Sequence, residues 1–501
     1  MHCLSRILRC LSFVGLVIPV ILFAGEQKLI LLHTNDIHAS FVPHEATWIK
    51  STPKPMVGGF VRLEEAIDSV RSLGIPSILL DAGDVMTGNP ISEIVYRGAY
   101  GGALFEMMNR MGYDVWEPGN HDLDISQDNL RALASIAVFP TVCANLVDQK
   151  GEYPLHNKPY VIISRGGIRV GIIGLMSQEL YGLVNQQNLT GLRVLSPSET
   201  AQRWIDELRP KADLVVLLTH EGAEEDSALA EAIHGADIIV GGHSHTRIRI
   251  PRVVNGIRIV QTGSNCENLG VVEVTFRDDK PVKYWGNLVQ LWARTNPKPE
   301  SVTSLVDSMR QVIDKQYDEV VGRLSEDWSS QGARSPLALF VTEAQRTAAS
   351  AQISFMNSHG VRKDLLAGPI TRRDIFEVLP FRNVLVTFQL SGAQVKSVLR
   401  YYLEKHPAIV MTGVSASWSS DAGGEILLED VRVGGTPIED GSSYVCVASD
   451  FFVGEAEKYI GMPIDHAITS STTLYSAVEQ AIRREGTLRR VGEMKLERSH
   501  P

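Results

Sequence analysis

Five strand-like runs in the first half of this chain each end in a cluster of carboxylate, amide or imidazole side chains. Residues 29–32 lead into His33-Thr34-Asn35-Asp36-Ile37-His38, and residues 77–80 into Asp81-Ala82-Gly83-Asp84. Residues 114–116 lead into Gly119-Asn120-His121-Asp122, and residues 214–218 into Thr219-His220-Glu221-Gly222. Residues 238–240 lead into Gly241-Gly242-His243-Ser244-His245. Short apolar runs bounded by turn residues read as buried strands. Open α/β sheets build their sites at the carboxyl ends of such strands. A fold that brings these five ends together gathers hard oxygen and imidazole donors at one place.

Each segment also has an ordinary reading. Asp-x-His by itself is usually a turn, Asn-His-Asp is a favoured helix cap, and a single His220 reads as a hydrogen-bonded core histidine. Five such segments in one domain are not accounted for in that way. Alternation along an extended chain puts the two side chains of Asp-x-His, or of His-x-His, on one side, where both can face one ion. Gly83, Gly119, Gly241 and Gly242 allow sharp turns beside a crowded site. Carboxylate, amide and imidazole without thiolate suit zinc, manganese, iron or cobalt, not a structural cysteine site.

The surrounding pattern is α/β. Further strands are expected at residues 138–142, 160–163, 170–173 and 271–274, with amphipathic helices at 61–73, 102–111 and 198–208. The alternation runs to about residue 290 and breaks at Asn296-Pro297-Lys298-Pro299. A helix is expected over 300–317, followed by helices at 336–349 and 392–406 and short strands separated by glycine pairs. These shifts divide the chain into a leader (1–25), an α/β domain (26–295), a linker helix (296–320) and an α+β domain (321–501). With 501 residues, two domains are the default.

Arg6 and Arg9, an apolar run at 11–23 and then Ala24-Gly25 are ordered as in a secretory signal. The run falls short of the ~20 residues that span a bilayer; an uncleaved anchor is the other reading. The expectation is an exported protein, periplasmic or secreted, with no stable membrane span after cleavage. Cys143, Cys266 and Cys446 are scattered and odd in number, so no disulfide framework is implied. A formal charge of -10 makes polymeric nucleic acid a poor partner. Small anionic substrates then require metal ions or a local basic cluster.

At these motifs, with Thr87-Gly88 and Leu123-Asp124 added, the chain resembles the calcineurin-like metallophosphoesterases. The branch is that of 5′-nucleotidases and periplasmic UDP-sugar hydrolases. The resemblance implies a four-layer α/β/β/α sandwich followed by a C-terminal α+β substrate-binding domain. It implies two divalent ions (Zn, Mn, Co or Fe), one held by Asp36, His38, Asp84 and His245. Asp84, Asn120, His220 and His243 would hold the other, with Asp84 shared. A shared anion offsets the repulsion of two close cations, which can then activate a bound water as hydroxide for in-line attack on phosphorus. His121, oriented by Asp124, would stabilise charge on the phosphoryl group or protonate the leaving oxygen.

In the second half, Asn357-Ser358-His359-Gly360-Val361-Arg362 resembles a substrate loop in which Asn357 and Arg362 contact the substrate. Phe381 and Phe451 match two rings that sandwich the base. The resemblance is weakest at Glu455-Ala456-Glu457-Lys458, where Glu457 takes the place of a ribose-gripping Asp, and around Arg334, a further phosphate contact. Together these imply removal of the 5′-phosphate of nucleotides by a monomer or dimer acting on a small nucleotide or nucleotide sugar. The alternatives are UDP-sugar or cyclic-nucleotide diester cleavage, thiosulfate-ester hydrolysis, and a non-catalytic nucleotide-binding protein.

Overall fold

The structure, a computed structural model, describes residues 26–294, 300–330, 335–421, 423–489 and 495–499. The expected leader, the proline-containing stretch 296–299 and Arg334 lie outside the described residues.

Two sheets dominate the first half. The larger runs, in spatial order, Asn157–Lys158, Thr141–Val142, Val115–Trp116, Ser77–Asp81, Gln27–Thr34, Asn268–Arg277 and Lys280–Gln290. The smaller runs Tyr160–Arg165, Ile168–Met176, Leu214–His220, Ile238–Gly241, Ile257–Val260 and Arg252–Val254. The strands that lead to the polar clusters are mutually parallel within each sheet, so their carboxyl ends share an edge.

Alternation along the central strands explains why they read as continuous apolar runs. Leu29, Leu31, Ile78 and Leu80 pack against Val170, Ile172, Val216 and Leu218 in a core between the two sheets. Their neighbours Ile30, Leu32 and Leu79 face the other way, onto helices Phe60–Arg71, Gly102–Met111 and Gln127–Ile136. On the smaller sheet Ile173, Val215, Leu217 and Ile239 meet Ala201, Ile205 and Leu229 from helices Pro197–Leu208 and Ala223–Ala232. A strand buried on both faces has no polar side. The result is the expected α/β/β/α sandwich, with each buried leucine or isoleucine contributing about 1.5–3 kcal/mol.

The run at 138–142 forms strand only at Thr141–Val142. Pro140 has no N–H for a ladder, and Val138 is 81% exposed. The helix after the break spans Thr303–Tyr317. Its Leu305, Val306, Met309 and Ile313 join the core of the first domain, while the Tyr317 ring meets Phe376 of the second.

The second domain is built on a five-stranded sheet ordered Ile409–Thr412, Ile353–Asn357, Ser443–Ser449, Val384–Ser391, Ile468–Thr473. Helices Pro336–Ala348 and Leu474–Glu485 cover one face. Helix Gly392–Lys405 and the hairpin Val414–Ser420 with Ile426–Val433 cover the other. No described helix is long and apolar enough to cross a membrane.

Candidate metal centre and active site

The strand ends deliver two groups of donors. Asp36, His38 and His245 form one, and Asp84, His220 and His243 the other, with the ligand atoms of each group within 4.8 Å of one another. Asp84 Oδ2 faces both: it lies 3.2 Å from His220 Nε2 and 4.0 Å from His38 Nε2. His245 Nε2 stands 3.4 Å from Asp36 Oδ1 and 2.9 Å from His38 Nε2.

Three observations show that this set fits metal ions. Asn120 Oδ1 and His220 Nε2 are buried and make no hydrogen bond, a condition that costs about 1–3 kcal/mol per group unless something else satisfies it. His38 Nδ1 donates to the Thr87 carbonyl at 3.0 Å and His220 Nδ1 to the Ala82 carbonyl at 2.7 Å. Because a carbonyl can only accept, each ring keeps its Nε2 lone pair for the centre, the usual arrangement of ligating histidines. Burial opposes ionisation of Asp84, yet the imidazoles of His220, His121 and His38 hold its carboxyl well below the ordinary range.

The backbone is bent to aim these side chains. Asp36, His38, Asp84, His243 and His245 have φ of 49°, 48°, 56°, 74° and 54°, a left-handed conformation that costs non-glycine residues about 1–3 kcal/mol. Hydrogen bonds hold it: Asp36 N to Gly83 O at 2.8 Å, His38 N to Asp84 O at 2.9 Å, and His243 N to Asp36 Oδ2 at 3.0 Å. Two glycines are required by crowding. A Cβ on Gly119 would lie 2.1 Å from Asp84 Oδ1, and one on Gly83, itself at φ 86°, would lie 2.5 Å from Gly119 N.

His121 stands beside the centre. Its Nδ1 is 2.7 Å from Asp124 Oδ2, which also accepts from Thr87 Oγ1 at 2.8 Å. Burial works against a charged His121, but the Asp124 and Asp84 carboxylates outweigh it and raise its pKa. Phe381, from the second domain, stacks on the His121 ring at 5.6 Å and 26°. The Arg362 guanidinium lies 5.8 Å from the centre of the Phe381 ring.

These groups open onto a cleft of about 860 Å³ between the two domains. Its lining includes Asp84, Asn120, His121, Asp124, His243 and His245 on one side and Asn357, Arg362, Phe381 and Phe451 on the other. Glu457 departs from the expectation. It is exposed and absent from the lining, because helix Ala456–Ile460 buries Ala456, Tyr459 and Ile460 and turns position 457 outward.

Supporting residues emerge that the sequence left without a role. Asp122 accepts from the N–H groups of Asp84, Met86 and Gly119 at 3.0, 3.0 and 2.8 Å. Asp81 accepts from Thr34 Oγ1 at 2.6 Å and Gly83 N at 3.0 Å. Their signal was present as acidic residues within the same motifs, but nothing in a linear pattern separates a loop brace from a ligand.

Comparison with known proteins agrees with this geometry. Residues 29–247 match the model of calcineurin-like phosphoesterases, and residues 320–462 that of the 5′-nucleotidase C-terminal domain. A 5′-nucleotidase of Vibrio cholerae is 26% identical over 75% of this chain and 76% of its own. The crystal structure of a 5′-nucleotidase precursor from Thermus thermophilus superposes with a TM-score of 0.79 at 26% identity, covering 95% of this chain and all of that one. The sulfate thiohydrolase SoxB from the same species shares the fold, with a TM-score of 0.75 at 19% identity over 94% and 97% of the two chains. The chain belongs to the calcineurin-like phosphoesterases, hydrolases of phosphate esters, in the branch that carries a 5′-nucleotidase C-terminal domain.

Proposed function

We propose that this protein removes the 5′-phosphate of nucleotides at a binuclear centre, with residues 26–295 carrying catalysis and residues 321–501 recognising the leaving group. The observation that carries the reading is the sharing of Asp84 Oδ2 between two donor groups beside the His121–Asp124 pair. Divalent cations held there supply the Lewis acidity that activates water and offsets charge on the phosphoryl oxygens. Asp36, His38 and His245 would hold one ion, Asn120, His220 and His243 the other, and Asp84 both.

The protein's own groups complete the step. Asp124 keeps the proton on His121 Nδ1 and favours the imidazolium, whose other nitrogen donates to the phosphoryl or leaving oxygen. Arg362 offers the phosphoryl group a second cationic donor from across the cleft. Asn357 and Phe451 line the space for the leaving nucleoside. Phe381 stacks on His121, shielding the ring that moves the proton.

A second reading keeps the centre and changes the substrate to a nucleotide sugar or another diester. The outward turn of Glu457 favours it, since no carboxylate from that position reaches the cleft. We further propose export, on the basic, apolar, small-residue order of residues 1–25.

The test is phosphate release from AMP, cyclic nucleotides and UDP-glucose by the purified full-length chain with added manganese or zinc. AMP is expected to be turned over fastest, and His121→Ala to lose about 10²–10⁴ in kcat while still binding nucleotide. Absence of release from every ester by the metal-loaded protein would refute the reading.

A further inference from the structure

A sixth strand end reaches the donors without supplying one. Strand Ile257–Val260 runs parallel to Ile238–Gly241, so Gln261-Thr262-Gly263 emerges at the edge that carries the two donor groups. Gln261 is fully buried. Its Nε2 donates to Gly242 O at 2.6 Å, while its Oε1 accepts from Thr246 N at 2.5 Å and from Ser244 Oγ at 2.9 Å. A carbonyl only accepts and a peptide N–H only donates, so the amide fits one way round, and a carboxylate in its place would have no proton for Gly242 O.

The residues it grips, Gly242 and Thr246, bracket His243 and His245, one histidine from each donor group. Both histidines sit in left-handed backbone, at φ 74° and 54°, which persists only under restraint from outside. Ser244, between them, carries the restraint further. Its Oγ also accepts from Ala223 N at 3.0 Å, at the start of the helix that follows His220. Thr262, the next residue along, serves the Asp36 loop instead: its N–H and Oγ1 donate to Asn35 Oδ1 at 2.8 and 2.7 Å. Asn35 Nδ2 in turn donates to Asp36 Oδ2 at 2.6 Å and to Gly263 O at 2.7 Å.

From this arrangement we infer that Gln261 is a positioning residue of the centre, which sets the reach of His243 and His245 together and so couples the occupancy of the two ion sites. The inference rests on the binuclear reading and adds to it a group that touches neither ion nor substrate. A side chain that held one histidine would tune one site. A grip on both ends of the His-x-His segment tunes both.

The experiment is zinc titration of the full-length, metal-free protein against a chromogenic chelator, which reads the affinity of each ion separately, beside thermal unfolding of the same samples. Gln261→Met, similar in size but without the hydrogen bonds, is expected to weaken both ions by about tenfold or more and to alter the visible absorption of the cobalt-loaded protein. Ser244→Ala, which deletes one of the three bonds to the amide, weakens both by roughly threefold. Ile259→Val loosens the core beneath the same strand, so it lowers the unfolding temperature but leaves both affinities unchanged. Zinc affinities in Gln261→Met equal to the parent's, a loss confined to one ion, or an equal loss in Ile259→Val overturns the inference. Should Gln261→Met not fold by circular dichroism, Ser244→Ala decides alone, and unchanged affinities there overturn it. A parent that binds no zinc refutes the binuclear reading itself, and the inference with it.

Discussion

The residue that ties the centre together is Thr87, at φ 62°. Its hydroxyl donates to Asp124 and its carbonyl accepts from His38, so one residue links the proposed proton-transferring pair to a proposed metal ligand. Left-handed backbone in a β-branched residue persists only where its surroundings over-determine it. Thr87→Val keeps the shape and that strain but removes the donor to a charged acceptor, an interaction worth about 1.5–3 kcal/mol. The expected result is a roughly tenfold or greater fall in kcat at saturating metal, with Thr87→Ser near the unsubstituted rate. A Val variant as fast as the parent would show that Asp124 needs no such support.

At the scale of elements, what the sequence made legible follows from the period of burial. Strands covered on both faces, such as Gln27–Thr34 and Leu214–His220, stand out as apolar runs, and each points at its polar cluster. The candidate ligand set was readable because it sits on those strand ends within six residues or fewer of a run. The second domain was less so, since contributions such as Phe381 and Phe451 depend on how a loop and a five-residue helix meet the first domain. Glu457 was misplaced because one residue along a short helix changes the face by about 100°.

Helix Ala223–Ala232 carries a test that depends on pH. Asp226, in its first turn, accepts from Thr219 Oγ1 at 2.7 Å, while its Oδ2 is buried without a partner. Burial pushes the carboxyl up from 3.8 to about 8. A folded value above the unfolded one means that the fold prefers the protonated acid, so this group's contribution declines as pH rises through that window. Asp226→Asn removes the titration. Its stability relative to the parent is expected to improve between pH 5 and pH 8 by up to about 1.4 kcal/mol per unit. Thermal unfolding of both proteins across that range checks it; a constant offset would contradict it.

At the scale of the whole molecule, the two domains divide the work across one cleft. The first supplies the strand-end donors, and the second closes over them through Phe381 on His121 and Arg382 on Glu93. Asn89 to Glu377 at 3.3 Å and Asn185 to Asp450 at 3.2 Å add polar contacts across the same boundary. Such a boundary of polar contacts, unlike a shared core, leaves the cleft accessible to a substrate of nucleotide size. The proposed chemistry, however, depends on the first domain's donors holding cations.

Elemental analysis of the purified full-length chain after zinc or manganese loading and removal of excess metal tests that dependence most directly. Two ions per chain are expected in the parent and fewer than one in Asp84→Asn, since the shared carboxylate offsets the repulsion of both cations. Circular dichroism would confirm that the variant remains folded. A parent that retains no divalent ion, or an Asp84→Asn variant that retains two, would contradict the assignment of the centre.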